Sequence, residues 1–336
     1  MKTATQTTTS NLKAHILVFM GAFCISFAAF FVKDAPIDPS MVAFYRLFFG
    51  GITLFAVAAI RREKLLPPKP VLRFILAAGL LFACDLLAWH DSIVLVGPGI
   101  ATILTNFQVL ILAIYGVVVL KEKFTRAQKI AMPLALVGLA LLLGLHENVL
   151  PPHIVKGVML CLLSAVFYSG YILTLRQSQT LTVRIGPVAN MAWVSLIACL
   201  CVGLFCGARG LAFAIPDART LVFLALLGIV CQSLGWVLLS LGIPYLPPSR
   251  SGLILLTQPA LAFTWDVIFY GTAAGPINIL GAVLAIAAIG MGILAPTGPK
   301  KSGAAEPPEP LRASMHPAGE SVRLRSGDTG AKDRGE

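Results

Sequence analysis

Ten apolar stretches follow one another along the chain, each about twenty residues long and each bounded by Pro, Gly or charge. A helix of that length crosses the roughly 30 Å hydrocarbon layer of a bilayer. They lie near 14–32, 41–60, 71–93, 98–120, 127–145, 154–174, 187–206, 219–240, 251–270 and 276–294. Their apolar residues occupy every side of the helix rather than one stripe, as lipid contact requires. Charged residues make up 12% of the chain and apolar ones 57%, against about 25% charged in a soluble domain. The pattern predicts a polytopic, all-α membrane protein with little room outside the bilayer. The first span is too long, and too directly followed by others, for a cleaved signal peptide.

Lys and Arg are unequally divided between alternate loops. One side holds fourteen: Lys2, Lys13, Arg61, Arg62, Lys64, Lys69, Arg73, Lys121, Lys123, Arg126, Lys129, Arg176, Arg184 and Arg250. The other side holds four, Lys33, Lys156, Arg209 and Arg219. Basic loops stay in the cytoplasm, so both termini are expected there, with the spans in the cytoplasmic (inner) membrane. The net charge of +11 is then a topology signal, and nucleic acid is not an expected partner. Residues 297–336 lose the apolar pattern for Pro, Gly, Glu, Lys and Arg and read as a disordered cytoplasmic tail, as do residues 1–12 at the other end. The seven cysteines fall within spans and form no CxxC pair, so they read as small buried apolar residues.

The chain can be laid on itself. At an offset of 147, Cys84-Asp85 falls on Cys231-Gln232 and Trp89 on Trp236. At 150, Pro98 falls on Pro248 and Gln108 on Gln258; at 143, Ser26 and Lys33 fall on Ser169 and Arg176; at 148, Pro39 falls on Pro187. The order is preserved and the drift is that of short loop insertions. Each copy (13–146 and 153–296) carries five spans, an odd number. The second copy therefore crosses the membrane the other way up, giving ten transmembrane helices as two inverted five-helix repeats. That arrangement is characteristic of secondary transporters, in which the halves exchange shapes around a site near midplane.

Spans three and four read DLLAWHDSIVLVGPGIATILTNFQVL, and the next helix end reads LKEKFTRAQ. These segments resemble the EamA-type members of the drug/metabolite transporter superfamily, through Asp85, Trp89, His90, Asn106, Glu122 and Thr125, with Arg46 matching an Arg near the start of the second helix. The resemblance covers about residues 14–295. It implies a fold of two five-span halves and a small organic solute, an amino acid or another amphipathic metabolite, with export the favoured direction. Two positions depart from the pattern. Gln108-Val109 stand where the family commonly has a Pro after the Asn, and Thr272 stands where a second Glu122 would map.

An ionisable side chain at mid-bilayer costs roughly 2.5–3.5 kcal/mol on insertion scales, so each one is expected to face the interior beside a partner. Asp85 is the first candidate, with Arg46 at similar depth as its ion-pair partner or as an anchor for a substrate carboxylate or phosphate. The alternative is a static Asp85–Arg46 clasp. A buried carboxylate of this kind is also the candidate for proton coupling. His90 beside Asp91 is a candidate relay; Asp91 and Asp266 read as interfacial. Trp89 and Trp236 lie four residues after Asp85 and Gln232 and so share a helix face with them; either indole could stack on a planar or cationic solute. Asn106, Gln108, Gln232 and Gln258 are amides at membrane depth that bind solute or glue helices together. Small residues Gly203, Gly207, Ala285, Ala288 and Gly292 suit close packing within the chain, or a homodimer contact.

No GxxxxGK[ST] loop, HExxH pair or nucleophile elbow occurs. Gly97-Pro98-Gly99 reads as a loop between spans. No cofactor or metal is implied. The alternative to a transporter is a membrane-embedded enzyme acting on a lipid-linked substrate at the Arg46/Asp85/His90/Asp91 cluster. A passive channel lacks the ring of like charges it would need.

Overall fold

The computed structural model describes residues 2–28, 31, 35–142, 154–181, 185–271 and 274–294, and these are helical with no strand among them. The first repeat comprises α1 (Lys2–Ser26), α2 (Pro39–Ile60), α3 (Lys69–Thr105), α4 (Gln108–Val118) and α5 (Arg126–Leu142). In the second repeat follow α6 (Ile154–Thr180), α7 (Pro187–Ala208), α8 (Ala218–Tyr245), α9 (Pro248–Leu255), α10 (Thr257–Tyr270) and α11 (Pro276–Leu294). Among the described residues, six helical segments are long and apolar enough to cross a bilayer, and three shorter apolar helices accompany them. Large apolar side chains such as Ile52, Leu80, Leu204 and Val283 point outward, whereas Arg46, Asp85, His90, Gln108 and Gln232 are buried. That inversion of the soluble pattern is what a hydrocarbon solvent selects.

Several boundaries differ from the sequence expectation. Helix α1 runs back to Lys2, over residues expected to be disordered, because each residue added to an existing helix gains a hydrogen bond. The loop expected at Gly97-Pro98-Gly99 is helical, and α3 continues for 37 residues. A straight helix would set Asp85 and Thr105 about 30 Å apart. Both side chains nevertheless meet Ser164: Asp85 Oδ1 accepts from its hydroxyl at 2.6 Å, and Thr105 Oγ1 lies 3.5 Å from it. The chain therefore doubles back between them through helical turns rather than through the expected loop.

Helix α6 threads between the two limbs of that bend. Gly157 packs on Leu95 and Val96, and Gly170 on Leu81, while Ser169 reaches the Gln108 carbonyl. Helix α1 does the same in the other repeat. Gly21 packs on Gly235 and Leu239, Gly242 packs on Ala14 and Val18, and Trp265 of α10 donates to Ser26. Two bundles result: α3, α4 and α6 form one, and α1, α8, α9 and α10 the other.

Equivalent helices of the two repeats meet antiparallel. Phe44 faces Gly203 while Phe55 faces Trp193 across α2 and α7. Gly138 packs on Ala285 while Gly281 packs on Leu142 across α5 and α11. A Cβ added at Gly138 would lie 2.5 Å from the Ala285 nitrogen, so the small residues there serve contact within the chain. Opposed direction of equivalent helices is the geometry an inverted repeat demands.

Candidate functional site

A cavity of about 150 Å³ lies where the two bundles meet, room for about five waters at roughly 30 Å³ each. Its wall includes Arg46 of α2, Asp85 and Trp89 of α3, Asn106, Gln108 of α4, Tyr168 of α6, Trp236 of α8 and Gln258 of α10. Residues widely separated in the chain converge because each bundle wraps the first helix of the other repeat.

Arg46 and Asp85 share this cavity without forming the expected direct ion pair, since no N···O approach within 4 Å joins them among the described residues. Each has a neutral partner instead. Arg46 Nε donates to Gln232 Oε1 at 3.2 Å, and its guanidinium carbon stands 5.9 Å from the Phe82 ring centroid. Gln232 in turn donates through Nε2 to Ser195 Oγ at 2.9 Å. An amide can accept and donate at once, so Gln232 is satisfied while fully buried. Gln232 holds Arg46 from behind and does not itself line the cavity.

Helix α8 makes this possible by widening into a π-helical stretch over Leu227–Gly235. Gly228 and Gly235 let it press on α2 and α1, and Ser233 Oγ donates to the Gly228 and Gly50 carbonyls at 3.1 and 3.0 Å. Such widened turns re-aim side chains and recur at functional sites.

The remaining wall is aromatic. Trp236 meets Tyr171 at 4.7 Å, Phe82 at 5.3 Å and Tyr168 at 6.0 Å between centroids, all edge-on. Phe82 and Tyr171 stack at 4.4 Å. Trp236 is enclosed within this box, whereas Trp89 is only partly buried and opens to the cavity. The faces of such rings carry negative potential that attracts cations.

Helix breaks face the same space. The helical runs divide at Asn106-Phe107 and at Leu256, so α4 and α10 both begin there. Asn106 and Leu256 are 150 residues apart, the offset at which Gln108 and Gln258 coincide. The starts of α4 and α10 each bring the positive end of a helix dipole toward the cavity.

His90 does not join this site. With Asp91 it lines a second cavity of about 280 Å³ beside the start of α2 and the middle of α3. Asp91 pairs with Arg209 at 3.7 Å rather than with His90 or Arg46. Asp266 has a side chain outside the described residues. Two contributors escaped the candidate set drawn from sequence: Ser164, which fixes Asp85, and Phe82, which flanks Arg46. Ser and Phe are commonplace in apolar helices, and only the fold brings them here.

On the face bearing the basic loops, hydrogen bonds tie the two bundles together. Ser249 Oγ of α9 donates to Glu122 Oε2 at 2.9 Å, and Arg176 Nη1 of α6 donates to the Leu246 carbonyl at 2.8 Å. Glu122 lies beyond the end of α4, and burial raises its carboxyl above the ordinary range against the opposing pull of Ser249, Arg176 and Arg250. Nearby, Glu63 Oε2 accepts from the Ala189 N–H at 2.9 Å and so caps α7, whose own N-cap is Gly186.

The EamA-like transporter family matches residues 12–144 and again 155–293. The chain belongs to that family and is a multi-pass membrane transporter of the drug/metabolite transporter superfamily. A crystal structure superposes with a TM-score of 0.72 at 18% identity, covering 84% of this chain and 98% of its own; the likeness is one of fold. No curated protein matches the sequence.

Proposed function

We propose that the protein is a secondary transporter that carries a small amphipathic metabolite of amino-acid type out of the cell by alternating access. It works as ten spans in two inverted repeats within the cytoplasmic membrane, with both termini on the cytoplasmic side. One observation carries the reading: a cavity between the two bundles presents a guanidinium, a carboxylate and aromatic rings within about 150 Å³. Arg46, together with the helix starts at Gln108 and Thr257, suits a solute carboxylate. Asp85, Trp89 and Tyr168 suit an ammonium group. Closure of the basic face through Glu122–Ser249 and Arg176–Leu246 leaves rocking of one bundle against the other as the step that moves the cavity's opening. Asp85 exchanges the coupling proton, and Ser164 holds it in place.

The test has two stages. A thermal-shift screen of the purified protein against a panel of small zwitterions finds solutes that raise the melting point, since a ligand of the folded state stabilises it. Uptake of that solute into everted vesicles under an imposed proton gradient should then vanish in Asp85→Asn. Gradient-driven uptake that survives the substitution rules out the coupling role. Turnover of a lipid-linked substrate by purified protein, with no second compartment, would favour the enzyme reading instead.

A further inference from the structure

The second cavity, about 280 Å³, is lined by Asp38, Ser40, His90, Asp91, Lys156 and Arg209. Its acids are already engaged. Asp38 Oδ1 accepts from the Ser40 N–H at 2.8 Å as the N-cap of α2, and Asp91 faces Arg209 at 3.7 Å. Two groups are not. Ser40 Oγ and His90 Nδ1 belong to side chains 1% and 2% exposed, and neither atom has a hydrogen-bond partner among the described residues. A buried polar atom left unpaired carries a desolvation cost that a ligand would remove. Lys156 stands at the start of α6, exposed, with no acid within ion-pair distance among the described residues.

We infer that this cavity is a separate binding site for a small carboxylate. The carboxylate sits against the Lys156 ammonium, with Ser40 Oγ–H and the His90 ring N–H donating to it. The charge balance selects this class. Among the described residues the lining charges balance, Asp38 and Asp91 against Lys156 and Arg209, so a singly charged carboxylate disturbs them less than a doubly charged phosphate would. Two neutral donors suit the two oxygens of a carboxylate. The site is distinct from the central cavity, because none of these residues lines that cavity and Arg46 does not line this one.

Benzoate binding to the full chain in detergent, followed by saturation-transfer NMR, tests the inference. The Arg46→Gln background removes the central anchor for a carboxylate. Benzoate should still bind there, should weaken about tenfold on adding Lys156→Gln or Ser40→Ala, and should be retained by Lys156→Arg. Because Lys156 is exposed, its substitution leaves folding unaffected, and an unchanged melting point confirms this. Equal benzoate affinity in Lys156→Gln overturns the inference, as does displacement by chloride at equal concentration, which would mark a halide site. Loss of binding on Arg46→Gln alone would place the carboxylate in the central cavity, overturning the second site while leaving the proposed function standing.

Discussion

Asp85 and Gln232 occupy the same position in the two repeats, four residues ahead of Trp89 and Trp236, and they do different work. Asp85 sits on a regular α-helical turn and faces the cavity, held by one hydroxyl. Gln232 sits on a π-helical stretch that turns it into the protein, where it ties Arg46 to Ser195. A carboxylate only accepts hydrogen bonds and needs water or a donor beside it; an amide both accepts and donates and can be sealed in dry packing. The difference teaches that duplication alone does not produce a symmetric site. One repeat supplies the charges, and the other supplies the neutral scaffold that orients them.

The comparison breaks first at Asp85. Asp85→Asn keeps the shape and the Ser164 contact but removes the charge. Coupled uptake in vesicles should fall to background with the melting temperature within a few degrees of the parent, and retained coupling would place the charged function elsewhere. Next comes the close packing that sustains the π-helical stretch. A Cβ at Gly50 would lie 2.5 Å from Gln232 Cγ and 3.1 Å from the Gly228 carbonyl. Gly50→Ala should therefore cost about 1–3 kcal/mol, as overpacked cores do, which denaturant titration in detergent would read. Gln232→Leu sharpens the same point. It leaves Arg46 Nε and Ser195 without their shared partner, at about 1–3 kcal/mol, and should weaken solute affinity through a mispositioned Arg46 that the cavity still exposes.

A smaller effect is expected at Glu122. Burial raises its carboxyl, so its contribution to the closed basic face is fully present below the ordinary carboxylate range. That contribution fades as pH rises through the raised value. Glu122→Gln should flatten this dependence, read as the pH profile of a label distance across that face. The smallest is Asp217, the exposed N-cap of α8, whose carboxyl is lowered chiefly by the Thr220 N–H, at 2.8 Å from Oδ1. Its stabilisation is present above the ordinary carboxylate pKa and lost as pH falls through the lowered one, so Asp217→Ala should lower the melting temperature slightly at neutral pH and not in strong acid.

Hydrophobic runs announced the helices, and the aligned Cys, Asp/Gln, Trp and Pro positions announced the repeat, because both depend on residue type at fixed spacing. Arg46 and Asp85 stood out because charge within an apolar run has few structural uses. Partner choice did not follow. Nothing in the spacing says that Gln232, 186 residues from Arg46, would take the guanidinium that Asp85 was expected to take. That outcome depends on a local π-helical widening among Leu227–Gly235, where glycine and small polar residues tolerate more than one helical register. The loop expected at Gly97-Pro98-Gly99 misled for a related reason: Pro and Gly interrupt a straight helix, yet a chain can reverse through helical turns.

Reciprocal motion of the two faces is the central claim, and pairs of spin labels measure it directly in proteoliposomes. One pair, at Lys13 and Gln177, spans the two bundles at the basic face; the other, at Pro36 and Lys156, spans them at the opposite face. Breaking the Glu122–Ser249 bond with Glu122→Ala should lengthen the first distance and shorten the second. If both distances change in the same sense, or the first changes while the second stays fixed, the halves do not rock about a shared cavity.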